Sequence, residues 1–252
     1  MQGRPATKME GIPEDMTPKY KEMAIRLLTR QLWTEHATMD IFGRAIRLAP
    51  SWTDQVRTSR FTKEEGTHTR ICADVLTALG ADVDELLEKR GDSDLFFGIQ
   101  EGGMTSWVQV TAFNMIGDRA GSRQITAYEH NSLPAWGDKL SQLLAEEAGH
   151  QAYGDNMAVK LCNESKEQHA EMQSFVDTFM PVDVRRSFGR LDARANEYCL
   201  EVGLKKKDAA QLQYEYFESL MHVFEAAKLK FPNFEEAGCE LAPRVKKEFK
   251  LK

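Results

Sequence analysis

Two copies of the pattern Glu-x-x-His constrain this chain more than any other feature of its sequence. The first copy runs from Glu65 to His68 and the second from Glu147 to His150. On an α-helix, residues three apart project from the same face, about one turn from each other. Each copy therefore offers a carboxylate and an imidazole to the same small volume. Two such pairs on neighbouring helices are typical of a bundle that holds two metal ions.

Helix signals surround both copies of the pattern. Thr17-Pro18 predicts a helix start, Ser51 predicts a cap for the next helix, and Gly80 predicts its end. The pair Gly102-Gly103 predicts a loop, and Pro134 predicts another helix start. A short helix is predicted over 84–89, closed by Gly91. Long helices are predicted over 18–48, 51–79, 104–130 and 134–162.

The short connections between these helices predict two antiparallel hairpins. Hairpins of this length pack as a four-helix bundle, so we expect an all-α fold with one bundle domain over 17–162. The remainder, 163–252, is predicted to be a helical extension that packs on the bundle. Breaks in this extension are expected near Pro181, Gly189, Gly203 and Pro232.

The level of each residue in its hairpin predicts two further ligands. Glu65 lies about 15 residues after the first turn at Pro50, and Glu35 lies about 15 residues before it. At 1.5 Å per residue both sit roughly 22 Å from the turn. The same argument pairs Glu147 with Asp118 across the second turn. Glu129 is the rival carboxylate, but its level differs from that of Glu147 by roughly 15 Å.

The six predicted ligands suit two divalent cations. Four carboxylates neutralise two such ions, and mixed oxygen and nitrogen donors suit iron, with manganese possible, better than zinc. Taken singly, each Glu-x-x-His could also be solvated helix surface. Two triplets of residues flank Glu35 and Asp118 at helical spacing and would line either a substrate pocket or plain core: Gln31, Thr38, Phe42, and Thr111, Asn114, Met115. The remaining histidines belong to neither Glu-x-x-His motif: His36, His130, His169 and His222.

Composition excludes several classes of protein. The net charge of −6 argues against nucleic acid as a partner. No stretch approaches the roughly 20 apolar residues of a membrane helix, and the N-terminus has no secretory h-region. The four cysteines form no CxxC motif, which predicts reduced thiols in a cytoplasmic protein. The basic run Lys205–Lys207 is either a solvated face or a phosphate-binding site.

A series of short motifs runs through the stretch from about Leu28 to Met157: Glu35-His36, Lys63-Glu64-Glu65-Gly66-Thr67-His68, Leu79-Gly80, Asp84-Glu85-Leu86-Leu87, Trp107, Gly117-Asp118-Arg119-Ala120-Gly121 and Ala145-Glu146-Glu147-Ala148-Gly149-His150-Gln151. With these motifs, the stretch resembles the catalytic subunit of the bacterial phenylacetyl-CoA epoxidase family, and more distantly benzoyl-CoA epoxidase. Weaker similarity continues through Arg186–Gly189 and Gly203–Lys205.

This resemblance implies a ferritin-like bundle whose two iron ions activate O2 and insert one oxygen atom into an aromatic acyl-CoA, by epoxidation or hydroxylation. Glu35, Glu65, His68, Asp118, Glu147 and His150 would be the metal ligands and the catalytic residues. Arg185-Arg186 and Lys205–Lys207 are candidates for the CoA phosphates. An external reductase would supply electrons, since no flavin, nicotinamide or iron–sulfur motif is present. A homo-oligomer or a structural sister subunit is also expected. The alternatives are a ferroxidase or iron-binding ferritin-like protein, an oxygenase of a free small molecule, and a scaffold subunit without metal.

Overall fold

The computed structural model of the protein describes residues 9–89, 103–189 and 193–251. All regular structure in these ranges is helical, which confirms the predicted all-α fold. The predicted closure at Gly91 and the glycine at 102 lie outside the described residues. Within the described part of the chain, every helix is too short or too polar to cross a bilayer.

The first hairpin forms as its sequence predicts. Helix α1 spans Pro18–Ala45, a 3-10 turn follows over Ile46–Leu48, and α2 spans Trp52–Ala78. The hydroxyl of Ser51 caps α2 by accepting a hydrogen bond from the Asp54 amide at 3.1 Å. Gly80 then adopts φ 84°, the left-handed conformation that ends the helix. Helices α1 and α2 pack against each other, and the short helix α3, Val83–Glu88, follows.

The second hairpin departs from a regular helix at the position of a predicted ligand. Helix α4, Trp107–Phe113, continues through a π-helical turn, Asn114–Asp118, into α5, Arg119–Thr126. The prediction of one α-helix over 104–130 was therefore wrong in detail. The helix starts at Trp107 rather than at Met104, because Ser106 is its N-cap. It ends at Thr126, and His130 in the turn that follows adopts φ 50°. The π turn adds one residue to a helical turn and rotates the following side chains.

The return helix also starts later than predicted. A single turn, α6, covers Pro134–Gly137, and the long helix α7 begins only at Leu140 and ends at Glu164. The backbone amide of His130 donates to the Gly137 carbonyl at 3.3 Å, which joins the loop before α6 to the end of that turn.

The C-terminal part adds α8, Lys166–Phe188, α9, Arg194–Glu201, α10, Ala209–Ala227, and α11, Pro243–Phe249. The break predicted near Pro181 is wrong, because α8 runs through it. Proline removes one helical hydrogen bond, but buried Phe179, Met180 and Val184 hold this segment against the bundle. Gly189, at φ 66°, ends α8 as predicted. Helices α8 and α10 both pack on the second hairpin. The domain limits at 162/163 stay a prediction.

Gly154 on α7 allows the π turn to lie close to the opposite helix. A Cβ atom at this position would lie 2.9 Å from the Met115 amide nitrogen and 3.0 Å from the Asn114 carbonyl carbon. Both are backbone atoms of the π turn, so the clash could not be relieved by a side-chain rotation. The absence of a side chain at Gly154 therefore fixes the distance between α7 and the turn that carries Asp118.

We expect Gly154→Ala to lower the free energy of unfolding by about 1–3 kcal/mol, because an added methyl overpacks the contact. Gly149→Ala is the matched control on the same helix, since its added methyl meets nothing within 4 Å. It should stabilise the protein by about 0.5–1 kcal/mol through helix propensity. Urea denaturation of both variants measures the difference. Equal stability of the two variants would contradict the close approach described here.

Candidate metal centre

Six side chains from four helical segments converge in the middle of the bundle. They form two groups of four residues, and in each group one ligand atom from every residue lies within 4.8 Å of the ligand atoms of the others. One group is Glu35, Glu65, His68 and Glu147, and the other is Glu65, Asp118, Glu147 and His150. Glu65 and Glu147 belong to both groups. This is the arrangement needed for two ions bridged by two carboxylates, each with one further carboxylate and one imidazole of its own.

The converging residues are the six predicted from the sequence. Helix α1 carries Glu35, the π turn carries Asp118, and α2 and α7 each carry one Glu-x-x-His pair. All six are buried: both imidazoles have no exposed area, and the most exposed carboxylate, Asp118, reaches only 6%. That these residues bind metal stays a prediction, although their positions meet its geometric requirement.

Each imidazole turns its Nδ1 atom toward the carboxylates. The Nδ1 atom of His68 lies 3.5 Å from a Glu35 oxygen and 3.4 Å from a Glu147 oxygen. The Nδ1 atom of His150 lies 3.2 Å from an Asp118 oxygen and 3.3 Å from a Glu65 oxygen. One imidazole nitrogen and several carboxylate oxygens thus face the same point in each half of the site.

The electrostatics of the cluster show how costly these charges are without a metal. Burial raises the pKa of Glu65, and the neighbouring Glu35 charge raises it further, to about 7. Burial and the charges of Asp118 and Glu65 likewise raise the pKa of Glu147 well above its ordinary value. Burial alone would lower the pKa of His150, but hydrogen bonding and charge from Asp118 outweigh it and raise the pKa to about 12. Without metal, these shifts favour protons on Glu65, Glu147 and His150.

Unsatisfied polar atoms mark the place where cations fit. Both carboxylate oxygens of Glu65 and the Nδ1 atom of His68 are buried and lack a hydrogen bond to any described residue. Buried polar atoms without partners are rare in folded proteins, since each costs about 1–3 kcal/mol. Two divalent ions between these atoms would satisfy them and would balance the four carboxylates. The donor set of oxygens and imidazole nitrogens suits iron or manganese.

Two further carboxylates, one on each helix that carries a motif, contact the imidazole on the opposite helix. The Nε2 atom of His68 on α2 lies 2.8 Å from a Glu146 oxygen on α7. The Nε2 atom of His150 on α7 lies 3.0 Å from a Glu64 oxygen on α2. Such partners orient a metal-binding imidazole and increase its basicity. The sequence analysis missed this role; the signal for it was the doubled acid at the start of each motif.

The crossing carboxylates differ in what holds them. Arg60 donates to Glu64 at 2.7 Å, one helical turn earlier on α2. Gln142 occupies the corresponding position on α7 and donates to Glu146 at 3.1 Å. Hydrogen bonds from Arg60 and from His150 outweigh the effect of burial and lower the pKa of Glu64. A cation therefore supports one carboxylate and a neutral amide supports the other, so the two halves of the site are electrostatically unequal.

Amide side chains also hold the two unshared carboxylates. Gln31 donates to Glu35 within α1. The Asn114 amide nitrogen, in the orientation that satisfies both neighbours, donates to Asp118 at 3.2 Å and to the His150 carbonyl at 3.0 Å. Phe42 packs edge-on against the His150 ring, at 5.9 Å between centroids. These flanking residues support the ligands, and Thr38 lines a cavity beside them.

The rejected candidates lie elsewhere. Glu129 belongs to neither group and accepts a hydrogen bond from Ser141 at 2.7 Å. His169 contacts the Lys228 carbonyl, and His222 lies 3.4 Å from Asp155. None of the remaining histidines joins a possible metal group in the described residues. These are His36, His130, His169 and His222.

The bundle and its paired motifs define a class, the ferritin-like carboxylate-bridged di-metal proteins. Within that class, the chain belongs to the phenylacetic acid catabolic protein family, whose model matches residues 9–240. The resemblance stated from the sequence is thereby confirmed at the level of the family. No curated protein matches the chain. The family implies a di-iron oxidoreductase of phenylacetate catabolism, and the two buried groups of ligands fit such a site.

We expect Asp118→Ala and Glu65→Ala to lose much of the bound iron, because each change removes a ligand of the cluster. Glu129→Ala is the matched control, since it removes a carboxylate of the same hairpin that lies outside both groups. The wild-type protein should hold about two iron atoms per chain. Inductively coupled plasma analysis after anaerobic loading measures the content. Loss of iron in the Glu129 variant, with full content in the Asp118 variant, would contradict the assignment.

Proposed function

We propose that the protein is a di-iron monooxygenase that inserts one atom of O2 into an aromatic acyl-CoA such as phenylacetyl-CoA, by epoxidation or hydroxylation. The family and the ligand cluster support the oxidoreductase class. The finer proposal rests on one observation, a strongly basic pocket that adjoins the cluster. The complete set of ligands argues against a scaffold subunit that lacks metal.

The pocket consists of an inner and an outer part. The inner cavity, of about 40 Å³, is lined by three predicted ligands, Glu35, Asp118 and Glu147. The outer pocket, of about 850 Å³, opens beside it. Four residues line both: Arg30, Gln124, Arg186 and Ser187. A long substrate could thus extend from the surface toward the metal centre.

The outer pocket is basic although the protein is acidic. Its described lining contains six basic residues and no carboxylate: Arg26, Arg30, Lys89, Arg185, Arg186 and Lys205. A CoA ester carries several phosphate charges at one end and its acyl group at the other, so its phosphates match this outer pocket. Trp33 and Tyr128 add aromatic surface to the same pocket.

Among these basic residues, Lys205 gives the strongest indication of a phosphate site. Its side chain is buried, and its Nζ atom donates to Asn196 at 3.1 Å. Burial lowers the pKa of Lys205 and so disfavours its positive charge, which a bound phosphate would stabilise. The basic run is divided: Lys206 is exposed, and Lys207 pairs with Glu215 at 2.6 Å. Only the first lysine of the three lines the pocket.

The size of the inner cavity limits which molecules can reach the metal centre. It has room for O2 or a few water molecules but not for an aromatic ring, so the ring must displace a lining side chain. Phe113 is the largest side chain there. Gly121 leaves its part of the wall open, because a Cβ atom there would meet nothing within 4 Å, whereas the Phe113 ring already occupies the space beside Gly117. Gly121 therefore keeps space open for the reacting end of a substrate.

Different residues of this chain would bind the metal, orient its ligands, exclude water and bind the substrate. Iron bound by the cluster would supply electrons to O2, while an external reductase would restore those electrons. Glu64 and Glu146 hold the two imidazoles in the orientation that binds metal. The buried helices exclude bulk water from the cluster, and the basic pocket would bind and position the substrate.

We expect Lys205→Met to weaken binding of phenylacetyl-CoA about tenfold, because one charge-assisted hydrogen bond to phosphate contributes about 1.5–3 kcal/mol, and part of that gain offsets the burial of the lysine. Lys206→Met is the matched control, since its side chain is exposed and outside the pocket. Isothermal titration at low and high salt measures both dissociation constants. Equal effects of the two substitutions would count against a phosphate site at Lys205.

The choice of substrate is tested with phenylacetyl-CoA, benzoyl-CoA, CoA and the two free acids, each titrated against the reduced, iron-loaded protein. The proposal requires that the esters bind much more tightly than the acids and that only esters yield an oxygenated product. Oxygenation of the free acids would favour the alternative hypothesis of an oxygenase that acts on a free small molecule. Rapid oxidation of several equivalents of added Fe²⁺, with no product from any of these compounds, would favour a ferroxidase.

A separate prediction concerns the open wall of the inner cavity. Gly121→Leu should lower product formation by about tenfold or more, since its side chain would occupy the space available to substrate. Iron content should stay near normal because Gly121 is not a ligand. Mass spectrometry of the product and metal analysis of the same sample make the comparison. Unchanged turnover would show that substrate does not use this wall.

A further inference from the structure

A fourth acid lines the inner cavity beside the three predicted ligands. Asp183, on α8, has only 7% of its surface exposed and faces the same cavity as Glu35, Asp118 and Glu147. Its Oδ1 atom accepts a hydrogen bond from Ser187 at 3.3 Å. Its Oδ2 atom is buried and has no hydrogen bond to any described residue. Asp183 lies outside both metal groups.

The surroundings of Asp183 favour a neutral carboxyl. Burial raises its pKa well above the ordinary value of 3.8, while Ser187 and Arg186 lower it by less. The charged groups that face Asp183 across the cavity are Arg30, Glu35, Asp118 and Glu147. Two weaker acids also interact electrostatically with Asp183: Tyr216 on α10 and Cys239 in the segment before α11. More of these groups are acids than bases. An ionised Asp183 would therefore add negative charge beside a cluster that already carries four carboxylates.

The reaction proposed above must bring protons to this buried place. Transfer of one oxygen atom of O2 to a substrate, with two electrons from the external reductase, releases the other atom as water and consumes two protons. Glu35, Asp118 and Glu147 have no proton to give while they bind metal. Among the described acids that line the cavity, Asp183 alone is left for this role.

We propose that Asp183 is the proton donor of the inner cavity. Its Oδ2–H bond breaks, the proton passes to the oxygen atom that leaves as water, and the carboxylate then regains a proton from the outer pocket. Ser187 is suited to the return step, because it contacts Asp183 and lines both the inner and the outer part. Two such cycles supply the two protons. This inference rests on O2 activation as proposed above but not on the identity of the substrate.

The protonation state of Asp183 is tested on the metal-free protein. Infrared spectra at neutral pH should contain the carbonyl stretch of a protonated carboxylic acid that Asp183→Asn removes. Asp177→Asn, an exposed aspartate of the same helix, is the matched control and should leave that band in place. A spectrum unchanged in the Asp183 variant would mean that the carboxyl is ionised, which would overturn the proposal.

Stability provides a second test with a definite sign. A carboxyl whose pKa is higher in the folded than in the unfolded state binds more protons when folded, so stability falls as the pH rises above about 3.8. Asp183→Asn removes this loss. Its Tm relative to wild type should therefore rise from about pH 5 to about pH 8, whereas Asp177→Asn should show no such trend. A carboxyl that merely stabilises the fold would give a variant that is less stable at every pH.

Proton delivery is tested with the iron-loaded, chemically reduced protein and O2, without organic substrate. Asp183→Asn should keep its iron but slow the proton-dependent oxidation by about a hundredfold, and its solvent deuterium isotope effect should change. Asp183→Glu should restore part of the rate. Oxidation as fast as in wild type would overturn the proposal even if the infrared band is lost. Failure of every acyl-CoA to react would refute the proposed substrate and leave this result standing.

Discussion

Four carboxylates share the interior of one bundle, and the structure depends on how their charge is neutralised. Two imidazoles lie among them, and Glu65 and Glu147 are within reach of both. In the absence of metal, the raised pKa of Glu65 and of His150 favours protons on these two groups, which offset part of that charge. Binding of two cations to the same cluster would displace those protons. The helices around it position the charges at one level, and their apolar faces exclude water from them.

Much of this arrangement could be predicted because it follows from helix geometry. The spacing of Glu-x-x-His and the equal distance of Glu35 and Glu65 from Pro50 depend only on the rise of a helix and the position of a turn. Caps and terminators such as Ser51 and Gly80 act locally, so their sequence signals are direct. The all-α fold, the ends of α2 and the convergence of six side chains were therefore accessible from sequence.

What could not be predicted depends on contacts between distant segments. The π turn that carries Asp118 lies against Gly154, which is 36 positions further along the chain. The helix through Pro181 persists because buried neighbours compensate for a lost hydrogen bond, and no local signal reports their packing. The pairing of Glu64 with His150 and of Glu146 with His68 joins residues 86 and 78 positions apart. Asp183 reaches the cavity from α8, beyond the bundle predicted from sequence.

The crossed pairing of glutamates and histidines has a mechanical consequence. Each motif helix supplies a carboxylate for the outer nitrogen of the other helix's imidazole, so contacts at two points hold α2 and α7 together, one in each half of the ligand cluster. A slide of one helix along the other by a single residue would detach both imidazoles together. The two halves of the centre are consequently parts of a single joint, and a disturbance that reaches either half is transmitted to the other.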